Sequence, residues 1–243
     1  MAAAATGSDP GRVAAAVARA DASVVEHPAA VGDAAADEAT AKKKSLYAQE
    51  QDSPENRQRR QAWWETVKGI EPDRLVFVDE SGATTEMTRR YGRAPCGERI
   101  REATPAGHWC TLTLLGAMSR EGMLASMTVD SPTDGDVFLA YLDQVLCPVL
   151  RPGQAVVMDN LSAHKVEGVR QRMEAAGDQL LYLPPYSPDF NPIEKAWSKI
   201  KEHLRSAKSR TVAALEEIIP QALQTITRQN ASAWFSHCGY GLH

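Results

Sequence analysis

The amino-acid sequence predicts an α/β fold, with a mixed sheet of about five strands flanked by helices. Two short segments, 75–78 and 155–158, are wholly apolar, and each is followed by an aspartate. Continuous apolar runs of this length are typical of strands buried on both faces of a sheet. Between them, segments 109–117 and 123–129 are strand-like and are joined by a short polar turn, which indicates a hairpin. Strands that alternate with helical patterns favour an α/β domain.

The remaining elements follow in chain order. Segment 42–70 is polar, contains the pair Trp63-Trp64 and is predicted to form a helix that leads into the body. Apolar residues recur at helical spacing over 138–146, and Pro148 ends that helix. The later elements are predicted as a helix near 166–176, a strand at 180–183, a loop at 184–188, a long helix from Pro192 and a last helix over about 212–228.

Composition changes sharply near residue 41. The first 41 residues contain seventeen alanines, no aromatic residue and no sustained amphipathic period. We therefore expect a disordered tail at 1–41, a helical lead-in at 42–73 and a catalytic domain with a C-terminal helix at 74–243. A signal peptide would need a basic start and a continuous apolar stretch, and neither is present.

Charge and cysteine content limit the possible classes of protein. The formal net charge is −4, and the first 41 residues account for all of it, so the overall charge neither requires nor forbids a polyanionic partner. No apolar run approaches eighteen residues, so we expect no membrane partner. The four cysteines form no CxxC pair, which argues against a zinc ribbon and suits a reducing cytoplasm.

The two aspartates that follow the apolar strands are candidate metal ligands. If the strands are parallel neighbours, Asp79 and Asp159 lie side by side at the carboxyl edge of the sheet, where ligands bind in open α/β folds. Two carboxylates that close repel each other unless a cation lies between them. Ligands that are all oxygen favour Mg²⁺ or Mn²⁺ over zinc.

A third carboxylate lies in the proline-rich stretch 183–194. Asn191 is a natural helix N-cap, Pro192 suits the first helical turn, and Glu194 falls within that turn. Asn-x-x-Glu is also a capping box, so the motif alone favours a capping role for Glu194 over a metal-binding role. A rigid proline loop after a strand would aim Glu194 at the edge that carries the two aspartates, and this favours the metal role.

Taken together, these motifs resemble those of a known family. The sequences FVDE at 77–80, VMDNLSAH at 157–164 and PPYSPDFNPIE at 184–194 are similar to the DDE endonuclease domain of bacterial insertion-sequence transposases in the mariner-related superfamily. The 34 residues between Asp159 and Glu194 are the spacing expected of that group. The resemblance extends from about residue 42 to 240.

The resemblance implies a ribonuclease-H-like fold in which Asp79, Asp159 and Glu194 hold two Mg²⁺ or Mn²⁺ ions. It implies phosphodiester cleavage at the ends of a mobile element and attack of the freed 3′-hydroxyl on target DNA. It implies that the partner is double-stranded DNA and that the protein is a homodimer when on DNA. It also implies that the protein lies in the bacterial cytoplasm, at the nucleoid. Such proteins carry helix-turn-helix modules ahead of the catalytic domain. The alanine-rich segment stands in that place here, so we expect a truncated chain.

Three residues beside the acids are candidates for supporting roles. Glu80 follows Asp79 and should point to the opposite face of its strand. This position suits a contact with a side chain that binds the metal, or a place at the edge of the core, better than metal binding itself. Asn160 and His164 follow Asp159 and could orient it or contact phosphate. For His164, a purely structural place at the start of a helix is the alternative.

Two basic stretches are candidate DNA-binding surfaces. The first lies after the first strand and the second lies on the helix that begins near Glu194. A charge run is usually only a solvated face, but beside three carboxylates it favours a phosphate track. The candidate residues are Arg89, Arg90, Arg93, Lys195, Lys199, Lys201 and Arg205.

Two other functions remain open from the sequence. One is a different metal-dependent nuclease on the same fold, such as a ribonuclease or a junction resolvase. The other is a non-catalytic or truncated remnant that only binds DNA or a full-length transposase. The spacing of the acids argues against the first, and the presence of all three acids argues against the second.

Overall fold

The structure is a computed structural model that describes residues 47–105 and 107–241. The predicted disordered tail at 1–41 lies outside the described residues. In the described part, the segment that leads into the body contains one α-helix, which begins after Ser53. The Ser53 hydroxyl accepts a hydrogen bond from the Asn56 amide, and a proline follows it in the first turn, as is usual at a helix start.

Five strands form one mixed sheet, as predicted. They are β1 (Leu75–Thr84), β2 (Thr111–Ser119), β3 (Gly122–Val129), β4 (Ala155–Met158) and β5 (Gln179–Tyr182). Their order across the sheet is β3-β2-β1-β4-β5. The hairpin β2–β3 is antiparallel, and β1 is antiparallel to β2 but parallel to β4, which is parallel to β5.

The described residues contain six α-helices. These are α1 (Pro54–Val67), α2 (Gly135–Tyr141), α3 (Val169–Ala175), α4 (Ile193–Ala207), α5 (Val212–Gln224) and α6 (Arg228–His237). A π-helical turn, Leu142–Leu146, continues α2, and Pro148 lies in the turn that follows.

The sheet separates two apolar clusters, because successive side chains of a strand point to opposite faces. On one face, Leu75 and Phe77 of β1 pack in a cluster with residues of α1, α4, α5 and α6. On the other face, Val76 and Val78 pack in a cluster with residues of α2 and α3. The four side chains are at most 1% exposed, so β1 is the doubly buried strand that its apolar run predicted.

Two boundaries differ from the sequence prediction. β1 does not end before Asp79 but continues to Thr84, because residues 79–84 pair with β2 after the pairing with β4 has stopped at Val78. The predicted last helix over about 212–228 ends at Gln224, and a further helix, α6, follows it. Thr227 and Asn230 form a reciprocal capping box that starts α6, a helix that was not predicted.

Among the described residues, the structure contains no helix with the length and apolar character needed to cross a bilayer.

Candidate active site

Asp79 lies at the point in β1 where one neighbouring strand stops. Val78 is paired with Met158, the last residue of β4. The residues that follow on the two strands are Asp79 and Asp159. Asp79 is 7% exposed. Its Oδ1 accepts a hydrogen bond from the Glu80 amide at 2.8 Å, and its Oδ2 accepts one from Nδ2 of Asn191 at 3.2 Å.

Asp159 is held from two sides. Its Oδ1 accepts a hydrogen bond from the Leu161 amide at 3.0 Å and lies 2.7 Å from Nδ1 of His164. The imidazole N–H does not meet hydrogen-bond geometry, so the contact is an ion pair. Although burial opposes it, these contacts hold the pKa of Asp159 below its ordinary value. Asp159 is therefore ionised near neutral pH.

His164 links Asp159 to Glu80. The imidazole is fully buried, packs on the Phe138 ring at a centroid distance of 4.3 Å, and has its Nε2 3.4 Å from Oε1 of Glu80. Burial disfavours the charged ring, but the contacts with Asp159 and Glu80 raise the pKa of His164 to about 9. A cationic ring between two carboxylates fixes the orientation of Asp159. Glu80 lies on the strand face opposite Asp79, as expected.

Asn160 ties together the loops after two neighbouring strands. Its Nδ2 donates a hydrogen bond to the Leu183 carbonyl. This bond joins the loop that carries Asp159 to the start of the loop at residues 184–191, which we call the proline loop. In this structure the amide is engaged with backbone rather than directed at Asp159.

Glu194 lies in the first turn of α4, directly after the proline loop. The expected N-cap role of Asn191 is wrong: Pro192 precedes the first helical residue, and Asn191 makes no side-chain cap. The Asn191 amide instead turns to Asp79, and only its backbone carbonyl bonds the Glu194 amide, at 3.2 Å. Without a capping box, the Glu194 carboxylate has no capping role and faces the cavity beside the aspartates.

α4 is seated on the sheet by a close contact opposite Asp79. Gly116 of β2 is paired with Asp79, and a Cβ atom there would lie 2.6 Å from the indole of Trp197. Trp197 is 2% exposed and belongs to the core. Because only glycine permits this approach, Gly116 sets the height of α4, and hence of Glu194, above the sheet.

The three acids line one cavity of about 380 Å³, together with Asn160, Asn191 and residues of the proline loop. Burial, followed by the nearby Glu194, raises the pKa of Asp79 from 3.8 to about 7. Burial also raises the pKa of Glu194, an effect that Lys201 opposes and Asp159 reinforces. The cavity thus brings three carboxylates together, and the pKa values of Asp79 and Glu194 stay raised although His164 and Lys201 act in the opposite direction. We call it the acid cavity.

The chemistry of the acid cavity fits a hard cation, although its geometry is not that of a ready-made site. Within residues 47–105 and 107–241, no three side chains of ligand type are close enough to form a metal-binding group. The donor set is nevertheless all oxygen. Burial is the main cause of the raised pKa of Asp79, and repulsion from Glu194 and Asp159, which a cation would relieve, adds to it. Oδ1 of Asn191, next to Asp79, is a buried acceptor with no partner.

Arg60 of α1 holds the proline loop in a set of contacts that we call the clamp, and no pattern in the sequence indicated it. The Arg60 guanidinium donates to both carboxylate oxygens of Asp189, at 3.0 and 2.7 Å, and to Oγ of Ser187 at 2.7 Å. It also stacks on the Phe190 ring, 3.9 Å from its centroid. Gln51 adds hydrogen bonds to the Tyr186 carbonyl and to Asp189. The arginines of this helix were visible in the sequence, but no local pattern pairs them with residues more than a hundred positions away.

The two predicted basic stretches meet on one surface. Arg89 and Arg90 line a depression together with Arg205 of α4, and Nε of Arg89 donates to Oγ of Ser206 at 2.8 Å. Arg93 is exposed in the same connection, and Lys195 is exposed on the first turns of α4.

Two lysines of the predicted set are not free on this surface. Nζ of Lys199 donates to the Thr225 carbonyl and to Oδ1 of Asn230, both at 2.6 Å, so it joins α4 to the start of α6. The prediction that Lys199 contacts phosphate therefore gives way to a structural role. Lys201 is half-buried; burial lowers its pKa, while Glu194 and Asp79 act in the opposite direction. Its charge is thus directed at the acid cavity.

The fold is ribonuclease-H-like, and it matches that of known transposase catalytic domains. The Mos1 transposase paired-end complex with the left transposon end has a TM-score of 0.68 at 13% identity, covering 83% of this chain and 64% of that chain. The catalytic domain of Mos1 mariner transposase has a TM-score of 0.58 at 12% identity, covering 74% and 85%. Similar structures include Mos1 paired-end complexes with Mn and with Mg.

Sequence comparison identifies the family. The DDE superfamily endonuclease family matches residues 74–216, more than half of the chain. This chain belongs to that family. The transposable element Tcb2 transposase of Caenorhabditis briggsae is 28% identical over 144 residues, which are 55% of this chain and 53% of the relative. The chain thus spans about half the length of this relative.

Proposed function

We propose that this chain is the catalytic domain of a transposase, which cuts DNA phosphodiester bonds and joins the freed 3′-end to target DNA. The observation that carries the proposal is the acid cavity itself. Asp79, Asp159 and Glu194 come from three separate elements and line the same cavity. Burial raises the pKa of Asp79 and of Glu194, and the neighbouring carboxylates add to the effect. A fold alone would not require three carboxylates in one cavity.

Asp79, Asp159 and Glu194 would hold two Mg²⁺ or Mn²⁺ ions. When bound, such ions activate the attacking oxygen and stabilise the leaving oxygen of an in-line displacement. The chain's own residues prepare the cavity for this. His164 keeps Asp159 ionised and oriented, and the Asn191 amide and the Glu80 amide hold the two oxygens of Asp79. Lys201 limits the repulsion around Glu194.

We propose that double-stranded DNA follows the basic surface formed by Arg89, Arg90, Arg93 and Arg205, with Lys195 next to the cavity. Support comes from the meeting of two chain segments on one face of α4, the same helix that carries Glu194. Phosphate contacts of this kind position DNA but do not read its sequence.

The remaining proposals concern assembly and origin. A homodimer on DNA is in keeping with the paired-end complexes of Mos1 transposase. That the chain comes from a bacterial insertion sequence and acts at the nucleoid stays a prediction.

A plasmid-nicking assay tests the proposed function. The chain should nick supercoiled DNA with Mg²⁺ or Mn²⁺ and lose this activity with EDTA. Glu194→Gln keeps the shape of the side chain but removes its charge, so nicking should be abolished while the melting temperature is kept. Glu216→Gln, an exposed residue of α5, is the matched control and should nick at the wild-type rate. Retained nicking in Glu194→Gln would contradict the assignment.

A further inference from the structure

Two exposed apolar side chains line the acid cavity. Leu161 is 44% exposed and Tyr186 is 50% exposed, and both belong to the lining that contains the three acids. They come from the loops that follow β4 and β5, which are neighbouring parallel strands. Large apolar surface beside a charged cavity is costly to leave in water unless something covers it.

Tyr186 has a backbone conformation that tyrosine rarely adopts. Its φ is 56°, in the left-handed region. In the described ranges the other non-glycine residue with positive φ is Lys208, which ends α4, whereas Tyr186 ends no helix. A β-carbon in this region is sterically unfavourable, and strain of this kind persists where surrounding contacts impose it, often at functional sites.

The contacts that impose this conformation come from α1 and the segment before it. The Tyr186 carbonyl accepts a hydrogen bond from Nε2 of Gln51 at 2.8 Å. The next residue, Ser187, is 5% exposed and accepts a hydrogen bond from Arg60 at 2.7 Å. The backbone is thus anchored from α1 and its lead-in, while the ring of Tyr186 remains half in solvent at the cavity. This arrangement preorganises the ring instead of burying it.

We propose that Tyr186, assisted by Leu161, is a stacking site for the nucleobase adjacent to the phosphate that enters the acid cavity. The inference rests on the proposed function. A phosphodiester near the carboxylates carries its own base within a few ångströms, and a base that leaves its stack exposes an apolar face. Aromatic side chains bind such faces without regard to sequence, because every base has a π-face. Tyr186 is thereby a positioning contact for the strand that is cut.

Variants at position 186 separate stacking from stability. Tyr186→Ala should lower the nicking rate by about 10-fold, within the range given by a stacked base, with no loss of melting temperature. Tyr186→Phe should restore the rate, because the ring and not the hydroxyl stacks. Tyr186→Gly should nick as poorly as Tyr186→Ala yet melt at the same or a higher temperature, because glycine relieves the strained φ. Tyr47→Ala, at an exposed tyrosine outside the cavity, is the matched control and should match wild type.

Photocrosslinking identifies the contact directly. A duplex containing 5-iododeoxyuridine, irradiated with the full chain, should crosslink at Tyr186, as located by mass spectrometry of the peptides. If wild type nicks DNA but Tyr186→Ala nicks equally well, or if crosslinks form only elsewhere, the stacking site is wrong and the proposed function stands. If wild type does not nick at all with Mg²⁺ or Mn²⁺, the proposed function fails first and the stacking proposal fails with it.

Discussion

Asp79 should destabilise the metal-free protein, so Asp79→Asn should stabilise it. The pKa of Asp79 is raised from 3.8 to about 7, chiefly by burial. Between these values the unfolded chain is ionised while the folded chain holds a proton, so stability falls as pH rises through this window. Above it the loss is complete and amounts to at most about 4 kcal/mol, at 1.36 kcal/mol for each pKa unit. Below about pH 4 there is no penalty.

The substitution preserves the local hydrogen bonds. Oδ1 of Asn191 has no partner, and a rotation of that amide by half a turn presents it to the new amide N–H. The Glu80 amide keeps a carbonyl acceptor at position 79. Asp79→Asn therefore removes the buried charge and keeps both hydrogen bonds at position 79, while the rotated Asn191 amide leaves its Nδ2 unpaired in place of its Oδ1.

Thermal unfolding in EDTA at pH 4, 6 and 8 measures the effect. Asp79→Asn should melt no differently from wild type near pH 4 and up to roughly 16 °C higher at pH 8, since 1 kcal/mol shifts a domain of this size by roughly 2–4 °C. The exposed Asp130→Asn is the control and should show no such pH dependence. Adding Mn²⁺ should stabilise wild type by mass action and leave Asp79→Asn unchanged. A variant that is less stable than wild type at pH 8 would refute this reasoning.

Three further predictions concern how the cavity and the basic surface are built. Arg60→Gln should slow nicking about 10-fold because it releases the proline loop. Arg57→Gln removes an exposed ion pair on the same helix and should leave the nicking rate unchanged. Equal rates for the two variants would show that the Arg60 clamp is dispensable. Gly116→Ala should cost about 1–3 kcal/mol in unfolding free energy by pushing the buried indole of α4 outward; an unchanged denaturant midpoint would contradict the close packing. Lys195→Gln should weaken binding to element ends and to random duplex equally, and should reduce the slope of log affinity against log salt concentration by about one. Lys199→Gln should lower the melting temperature and leave that slope unchanged. A preference for element ends would reveal a recognition element in the body.

The sequence predicted the strands of the sheet because these depend on local patterns. Two apolar runs that end in Asp79 and Asp159 indicated buried strands whose aspartates would meet if the strands were parallel neighbours, and the structure pairs β1 with β4 in that way. The extension of β1 to Thr84 could not be predicted, since residues 79–84 are small or polar and become strand only by pairing with β2.

The sequence did not predict how the cavity is held. Asn191 matches a helix cap in sequence, yet its amide bonds Asp79 from 112 residues away. Arg60 and Asp189 are 129 residues apart, and their pairing depends on how α1 packs. Lys199 lies in a basic stretch and was predicted to contact phosphate, but its ammonium donates to the Thr225 carbonyl and to Oδ1 of Asn230. Each of these is a contact between elements, on which local periodicity and spacing carry no information.

The central claim is that Asp79, Asp159 and Glu194 bind the same metal ions, and iron-directed cleavage of the protein tests it most directly. Fe²⁺ bound in the acid cavity, with ascorbate and peroxide, should cut the polypeptide near residues 79, 159 and 194 together. Excess Mg²⁺ should suppress all three cuts, and Asp159→Asn should abolish them in parallel. Cuts at only one of these positions, or cuts that Asp159→Asn leaves unchanged, would contradict a shared site.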